Sequence, residues 1–119
     1  MKEIIIHLPY LTAGLNGKDG LIRQHFHAAK KVKDKILFDI LEQKPEKRHM
    51  GKCQILYVRY CKRYSDWDNA YASFKHIGDA LKKAGIILDD SPNCVTELIC
   101  RQRKGKEQRT EVYITEIPF

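Results

Sequence analysis

Between residues 65 and 93 the sequence reads SDWDNAYASFKHIGDALKKAGIILDDSPN, with its aspartates in two separated pairs. Asp66 and Asp68 stand two residues apart where a strand is expected to give way to a helix. In extended backbone, residues i and i+2 point the same way, so the two carboxylates are expected to converge. Like charges resist ionising side by side unless a cation lies between them. Carboxylate oxygens are hard ligands, suited to magnesium or manganese. Asp89 and Asp90 come after the intervening helix and can fold back beside the first pair. Several carboxylates around a divalent ion can activate a water and polarise a phosphate, which is the equipment of phosphodiester hydrolysis. Lys75 follows Asp68 by close to two helical turns and shares its face if the helix is regular throughout. There it can hold a phosphate or offset charge in the transition state. Asp79, one turn further on, is placed to pair with Lys75.

Each of these residues has a plainer reading. Asp-x-Asp-Asn before a helix is often only a cap, and aspartates before Ser-Pro are common in turns. The chemical reading gains from the combination: two acidic pairs, a helix between them carrying a lysine, and a chain of formal net charge +7. Such an excess fits a polyanionic partner, since lysine and arginine neutralise phosphates and release their counterions. Arg59, Lys62 and Arg63 precede the acidic segment, and Arg101, Arg103, Lys104, Lys106 and Arg109 surround the last turn. If the fold gathers them around the acidic site, they form a path for a nucleic-acid backbone.

Other chemistry finds no support. Cys53, Cys61, Cys94 and Cys100 lack the paired spacing of a zinc site and are expected as small buried apolar residues on strands. His25 and His27 diverge on a helix, and His7, His49 and His76 have no partner in sequence. No nucleophile motif surrounds Ser65, Ser73 or Ser91, and the glycines form no phosphate-binding fingerprint. Trp67, between two aspartates, can stack on a base, but its direction opposite to theirs favours packing in the core.

The elements that must position these residues follow from periodicity. Residues 3–8 read as a strand ended by Pro9, and 11–20 as a glycine-containing loop. From about Leu21 to Leu41, Ile22, Phe26, Ala29, Val32, Ile36 and Ile40 mark a helix with one apolar face. Lys30, Lys31, Lys33 and Lys35 cluster on and around its other face, as a solvated surface or a track for DNA. A polar connector, 42–52, leads to a strand at 54–60, apolar on both faces and so expected at the sheet centre. Residues 69–84 read as a second helix, capped by Asp68 or Asn69 and ended by Gly85 in the left-handed conformation. Two final runs, CVTELICRQ and RTEVYITEI, joined by RKGKEQ, read as a hairpin. The order β-α-β-α-β-β predicts a single α+β domain with a small mixed sheet and two helices. No stretch approaches the ~20 apolar residues of a membrane span, so a cytoplasmic location is expected.

On these residues the sequence resembles the RusA family of crossover junction endodeoxyribonucleases, especially its phage and prophage members. The resemblance covers most of the chain. It is strongest in D-W-D-N at Asp66 to Asn69, F-K at Phe74 and Lys75, D-A-L at Asp79 to Leu81, A-G at Ala84 and Gly85, and L-D-D-S at Leu88 to Ser91. The opening I-I-H-L-P-Y, with Leu15 and Asn16 beyond it, and the closing E-V-Y-I-T-E-I are also similar to the family's. The resemblance implies a homodimer in a bacterial host that cuts four-way DNA junctions symmetrically with Mg2+, for which Mn2+ can substitute. By position, Asp66 and Asp68 match the first two metal-site aspartates and Asp90 the third, with Asp89 a neighbour that can assist. Lys75 matches the catalytic lysine when counted back from Asp79.

Two departures bear on the carry-over. The stretch from Asn69 to Lys75 is three residues longer than in the best-known member, a spacing shared with phage members. Three residues turn a helix by about 300° and advance it ~4.5 Å, so either the helix start adjusts or Lys75 approaches differently. The loop after the first strand also lacks the family's proline-rich composition. Asn16, Arg23 and His25 in it, together with Asn69, Arg101 and Arg103, are candidates for DNA contact. The expected activity is structure-selective cleavage of branched DNA. The alternatives are a non-catalytic nucleic-acid-binding module or a nuclease for other branched substrates.

Overall fold

Apolar alternation decides which strands lie inside the sheet. A computed structural model describes residues 3–14, 26–45 and 50–117. Its sheet has four strands, β1 (Glu3–Leu8), β2 (Cys53–Cys61), β3 (Val95–Lys104) and β4 (Arg109–Glu116), in the order β1-β4-β2-β3. β4 is antiparallel to both neighbours, and β2 and β3 are parallel. In register across the first three strands stand Ile4, Ile114 and Ile55, then Ile6, Val112 and Tyr57, all buried. This face carries the helices α1 (Phe26–Glu42), α2 (Trp67–Ala72) and α3 (Lys75–Lys83). Ile36 and Ile40 of α1 and Ile77 and Leu81 of α3 complete the core. Each such fully buried side chain stabilises the fold by roughly 1.5–3 kcal/mol. The mixed-sheet α+β class and the central place of β2 are as the sequence predicts.

The final pair of strands is not a hairpin. β2 lies between β3 and β4, and the link between them crosses the end of β2, where the Gly105 N–H donates to the Cys61 carbonyl at 3.1 Å. Composition gives the reason: β4 buries Val112 and Ile114 completely, whereas β3 carries Glu97, Arg101, Arg103 and Lys104, charges suited to an edge. β3 instead completes a parallel crossover, β2-α2-α3-β3, which lays α2 over the sheet beside that edge.

The second helix is likewise split, with Ser73 and Phe74 between α2 and α3. The Ser73 hydroxyl donates back to the Ala70 carbonyl at 2.5 Å and meets the Tyr57 hydroxyl at 2.6 Å, while Thr12 donates to the Ser73 carbonyl. Back-bonding of this kind competes with the helical ladder. Gly85 does end α3 at φ 77°, as expected. On α1 the lysines are held locally, Lys30 by Asp34 at 2.9 Å and Lys35 by Asp39 at 3.2 Å, as on a solvated face. Cys53, Cys61 and Cys100 are buried free thiols on strands, and Cys94 is half-buried in a turn. Among the described residues no helix is long and apolar enough to cross a membrane.

Candidate metal and nucleic-acid site

Asp66 is the N-cap residue of α2, with φ −60° and ψ 156°, yet its side chain makes no capping hydrogen bond. Among the described residues its Oδ2 accepts only a long bond, 3.4 Å, from Asn69 Nδ2. The carboxylate is therefore not spent on the helix end. Asp68 lies in the first turn of α2, exposed. Convergence of the two by strand alternation does not apply, because Trp67 and Asp68 are already helical. In a helix, positions two apart diverge by about 200°. Asp68 instead shares a helical face with Tyr71 and Ala72, one turn on. Those two residues line a cleft of about 470 Å³ whose other walls include Lys75, Asp90 and Glu97. Asp90 enters it from the turn after α3, its Cβ packed against the position a side chain on Gly78 would fill.

Lys75 and Asp90 thus share one cleft, and Asp68 stands one turn from its wall. Lys75 does not continue a regular helix from Asp68, because the break at Ser73 and Phe74 intervenes. The predicted Lys75–Asp79 pair is present at 3.4 Å, and Lys33 of α1 joins it at 3.3 Å on the other carboxylate oxygen. Lys33 was not legible as part of this group, since only the packing of α1 on α3 brings it there. Asp89 is engaged elsewhere: it pairs with Lys82 at 3.2 Å and accepts the Asp90 N–H at 2.9 Å. The bond from Lys82 holds its carboxyl below the usual carboxylate range.

Charge pairing separates the described aspartates into two sets. Asp34, Asp39, Asp79 and Asp89 each have a lysine partner within 3.4 Å. Among the described residues Asp66, Asp68 and Asp90 have no cationic side chain within ion-pair distance. In a chain of net charge +7, that no described lysine or arginine pairs directly with these three is a distinctive choice. As donors they suit a hard divalent cation. They are not, however, gathered into the single cage the sequence leads one to expect. The described residues contain no group of three or more Asp, Glu, His or Cys side chains close enough to hold a metal ion.

The segment leading into Asp66 is anchored by Gln102, which the sequence reading did not single out, and by Arg59, which it had placed on the path for the DNA backbone. The Gln102 amide brackets the backbone of Ser65, its Oε1 accepting the Ser65 N–H and its Nε2 donating to the Ser65 carbonyl, both at 2.9 Å. Arg59, buried in β2, donates through Nη1 to Gln102 Oε1 and to Ser65 Oγ, each at 3.2 Å. Arg59 is thus a buried support for this segment and not part of an exposed path for the DNA backbone. On the other side, Gly14 lies so close to Asn69 that an added Cβ would stand 2.8 Å from the Asn69 carbonyl oxygen. Asn69 therefore packs against the exit of β1 and bonds to Asp66. Asn16, Arg23 and His25 lie outside the described residues.

Of the basic residues expected around the acidic segment, Arg59 is buried and Arg109 pairs with Glu111 at 3.0 Å, and the other six lie on the surface. Lys62, Arg63, Arg101, Arg103, Lys104 and Lys106 are all exposed, and none forms an ion pair with a described carboxylate. The Gly105–Cys61 bond brings the last turn against the residues after β2. Arg101 and Arg103 line a second cleft, at the β3 edge, with Tyr64, Ser65, Trp67 and Gln102. Trp67 is not in the core: it is 56 % exposed. No protein-family model matches the chain, and no curated protein is similar enough to count as a relative.

Proposed function

We propose that this chain is a divalent-metal-dependent DNA endonuclease of the RusA type, acting as a homodimer on branched DNA, four-way junctions foremost. The observation that supports the reading is that, among the described residues, Asp66, Asp68 and Asp90 have no cation within ion-pair distance, beside lysines and arginines that no described carboxylate pairs. Those three residues would hold magnesium or manganese. The ion, when bound, supplies charge neutralisation at the phosphate and a more acidic water. In the reaction, water adds to phosphorus in line and the 3′ oxygen leaves, giving a 5′ phosphate and a 3′ hydroxyl.

The chain's own residues supply the rest. Lys75, on the cleft wall with Asp90, contacts a non-bridging phosphate oxygen and offsets developing charge. Asp79 and Lys33 limit the directions in which Lys75 can reach. Gln102 and Arg59 fix the backbone before Asp66, so its carboxylate leaves from a rigid base. Two protomers would present one site to each of two opposed strands, which suits a symmetric junction.

A second reading, a nucleic-acid-binding module without turnover, draws on the lack of a ready three-ligand group among the described residues. One experiment separates the two. Purified chain is incubated with a synthetic four-way junction in magnesium, in manganese and in chelator, with binding followed by gel shift. The nuclease reading expects cleavage that chelator abolishes. It also expects Asp68→Asn to lose roughly a hundred-fold or more in rate, the scale of a damaged metal site, while keeping its affinity. Wild-type rates in Asp68→Asn overturn the reading, and binding without cleavage in either metal selects the module.

A further inference from the structure

We propose that the cleft at the β3 edge is a binding site for an unpaired nucleobase, which stacks on Trp67. This deepens the nucleic-acid reading and rests on it, but needs no metal and no turnover. One wall is aromatic, with Tyr64 58 % and Trp67 56 % exposed. The other is cationic, formed by Arg101 and Arg103. An indole held outside the core is costly unless something covers it, since apolar surface is driven out of water. The cleft measures about 450 Å³, a size typical of sites for small planar ligands.

The charge around it selects the occupant. A neutral or acidic protein surface would not need an aromatic ring in one cleft with two guanidiniums that no described carboxylate pairs, whereas a nucleotide presents a flat base and an anionic backbone together. Stacking platforms bordered by cations are how single strands are bound without sequence readout. The platform is also held in place. Tyr71 supports Trp67 with ring centroids 6.2 Å apart, and its hydroxyl accepts the outward Cys100 N–H of the edge strand at 3.3 Å. The Gln102 bracket on Ser65 closes the floor. Lys104 lies over the Tyr64 ring at 4.9 Å, so that a cation already occupies one aromatic face. Trp67 is left as the open surface. A base in this cleft belongs to an unpaired or melted nucleotide, because a base in a duplex has both faces covered. The site therefore favours substrates with unpaired nucleotides close to the strand presented to Asp66 and Asp68.

Trp67 is the only tryptophan in the chain, so its emission reports on this cleft directly. The full chain is titrated in chelator with oligothymidylate, an abasic oligomer of equal length and an intact duplex. Binding is followed separately by anisotropy of an end label. The expected result is quenching by oligothymidylate and little by the abasic oligomer or the duplex at matched saturation. Trp67→Ala is expected to bind oligothymidylate about ten-fold more weakly than Trp67→Phe, with abasic binding changed less than about two-fold. Equal quenching by the abasic oligomer, or unchanged affinity in Trp67→Ala, overturns the proposal. Quenching in a protein that fails to cleave junctions sinks the nuclease reading alone. Cleavage without quenching sinks this inference alone.

Discussion

At the scale of single residues, Asp66 poses a sharp choice between helix cap and ligand. A capping aspartate accepts a backbone N–H of the first turn, and its loss to alanine costs ~1 kcal/mol. Asp66 holds the N-cap position without making that bond. Asp66→Ala is therefore expected to change thermal stability by less than about 0.5 kcal/mol, while abolishing metal-dependent cleavage. A loss of ~1 kcal/mol or more in urea denaturation, with cleavage intact, would return Asp66 to the role of a cap. The identity of the acidic residues was legible because carboxylates at short spacing stand out in a basic chain. Their directions were not, because the helix starts two residues earlier than the sequence pattern implies. That offset turned Trp67 from a core residue into an exposed one. The same limit hid Gln102, whose importance lies in bonds to Ser65, 37 positions away.

At the scale of elements, the site depends on how the exit of β1 docks on α2. Thr12 bonds to the Ser73 carbonyl, and Gly14 stands against the Asn69 backbone with no room for a side chain. Gly14→Ala would place a methyl 2.8 Å from a carbonyl oxygen, forcing either the loop or α2 to shift. Overpacking of this kind costs typically 1–3 kcal/mol. The expected outcome is a lower unfolding midpoint together with weaker manganese binding, since Asn69 and Asp66 move with the helix. A variant as stable as wild type would show that the loop yields freely and does not position the site. Apolar periodicity over 69–84 was a true signal for helix, and both α2 and α3 fall within or beside that range. It could not reveal the break, because the hydroxyls that stabilise it come from Thr12 and Tyr57, far away in sequence.

At the scale of the whole molecule, strand order governs where charge accumulates. The sequence pattern identified all four strands, but adjacency in sequence pointed to a final hairpin. Pairing follows burial instead: β4 takes the interior place its apolar residues require, and the charged β3 is left at the edge. That exchange puts Arg101 and Arg103 beside Trp67, and the turn after them beside Lys62 and Arg63. Among the described residues, cations without a carboxylate partner are thus concentrated at this end of the sheet. Since lysines on α1 and α3 are largely neutralised by aspartates, the polyanion should be drawn to the β3 end. Affinity for DNA is then expected to fall with salt as phosphate-bound cations exchange for counterions. Three phosphate contacts give a loss of about forty-fold between 50 and 200 mM monovalent salt. Arg103→Ala with Arg101→Ala should flatten that dependence, whereas Lys30→Ala with Lys35→Ala should leave it unchanged, as measured by anisotropy across a salt series. If the α1 pair flattened the slope and the β3 pair did not, DNA would lie along α1 instead, and neither cleft would face it.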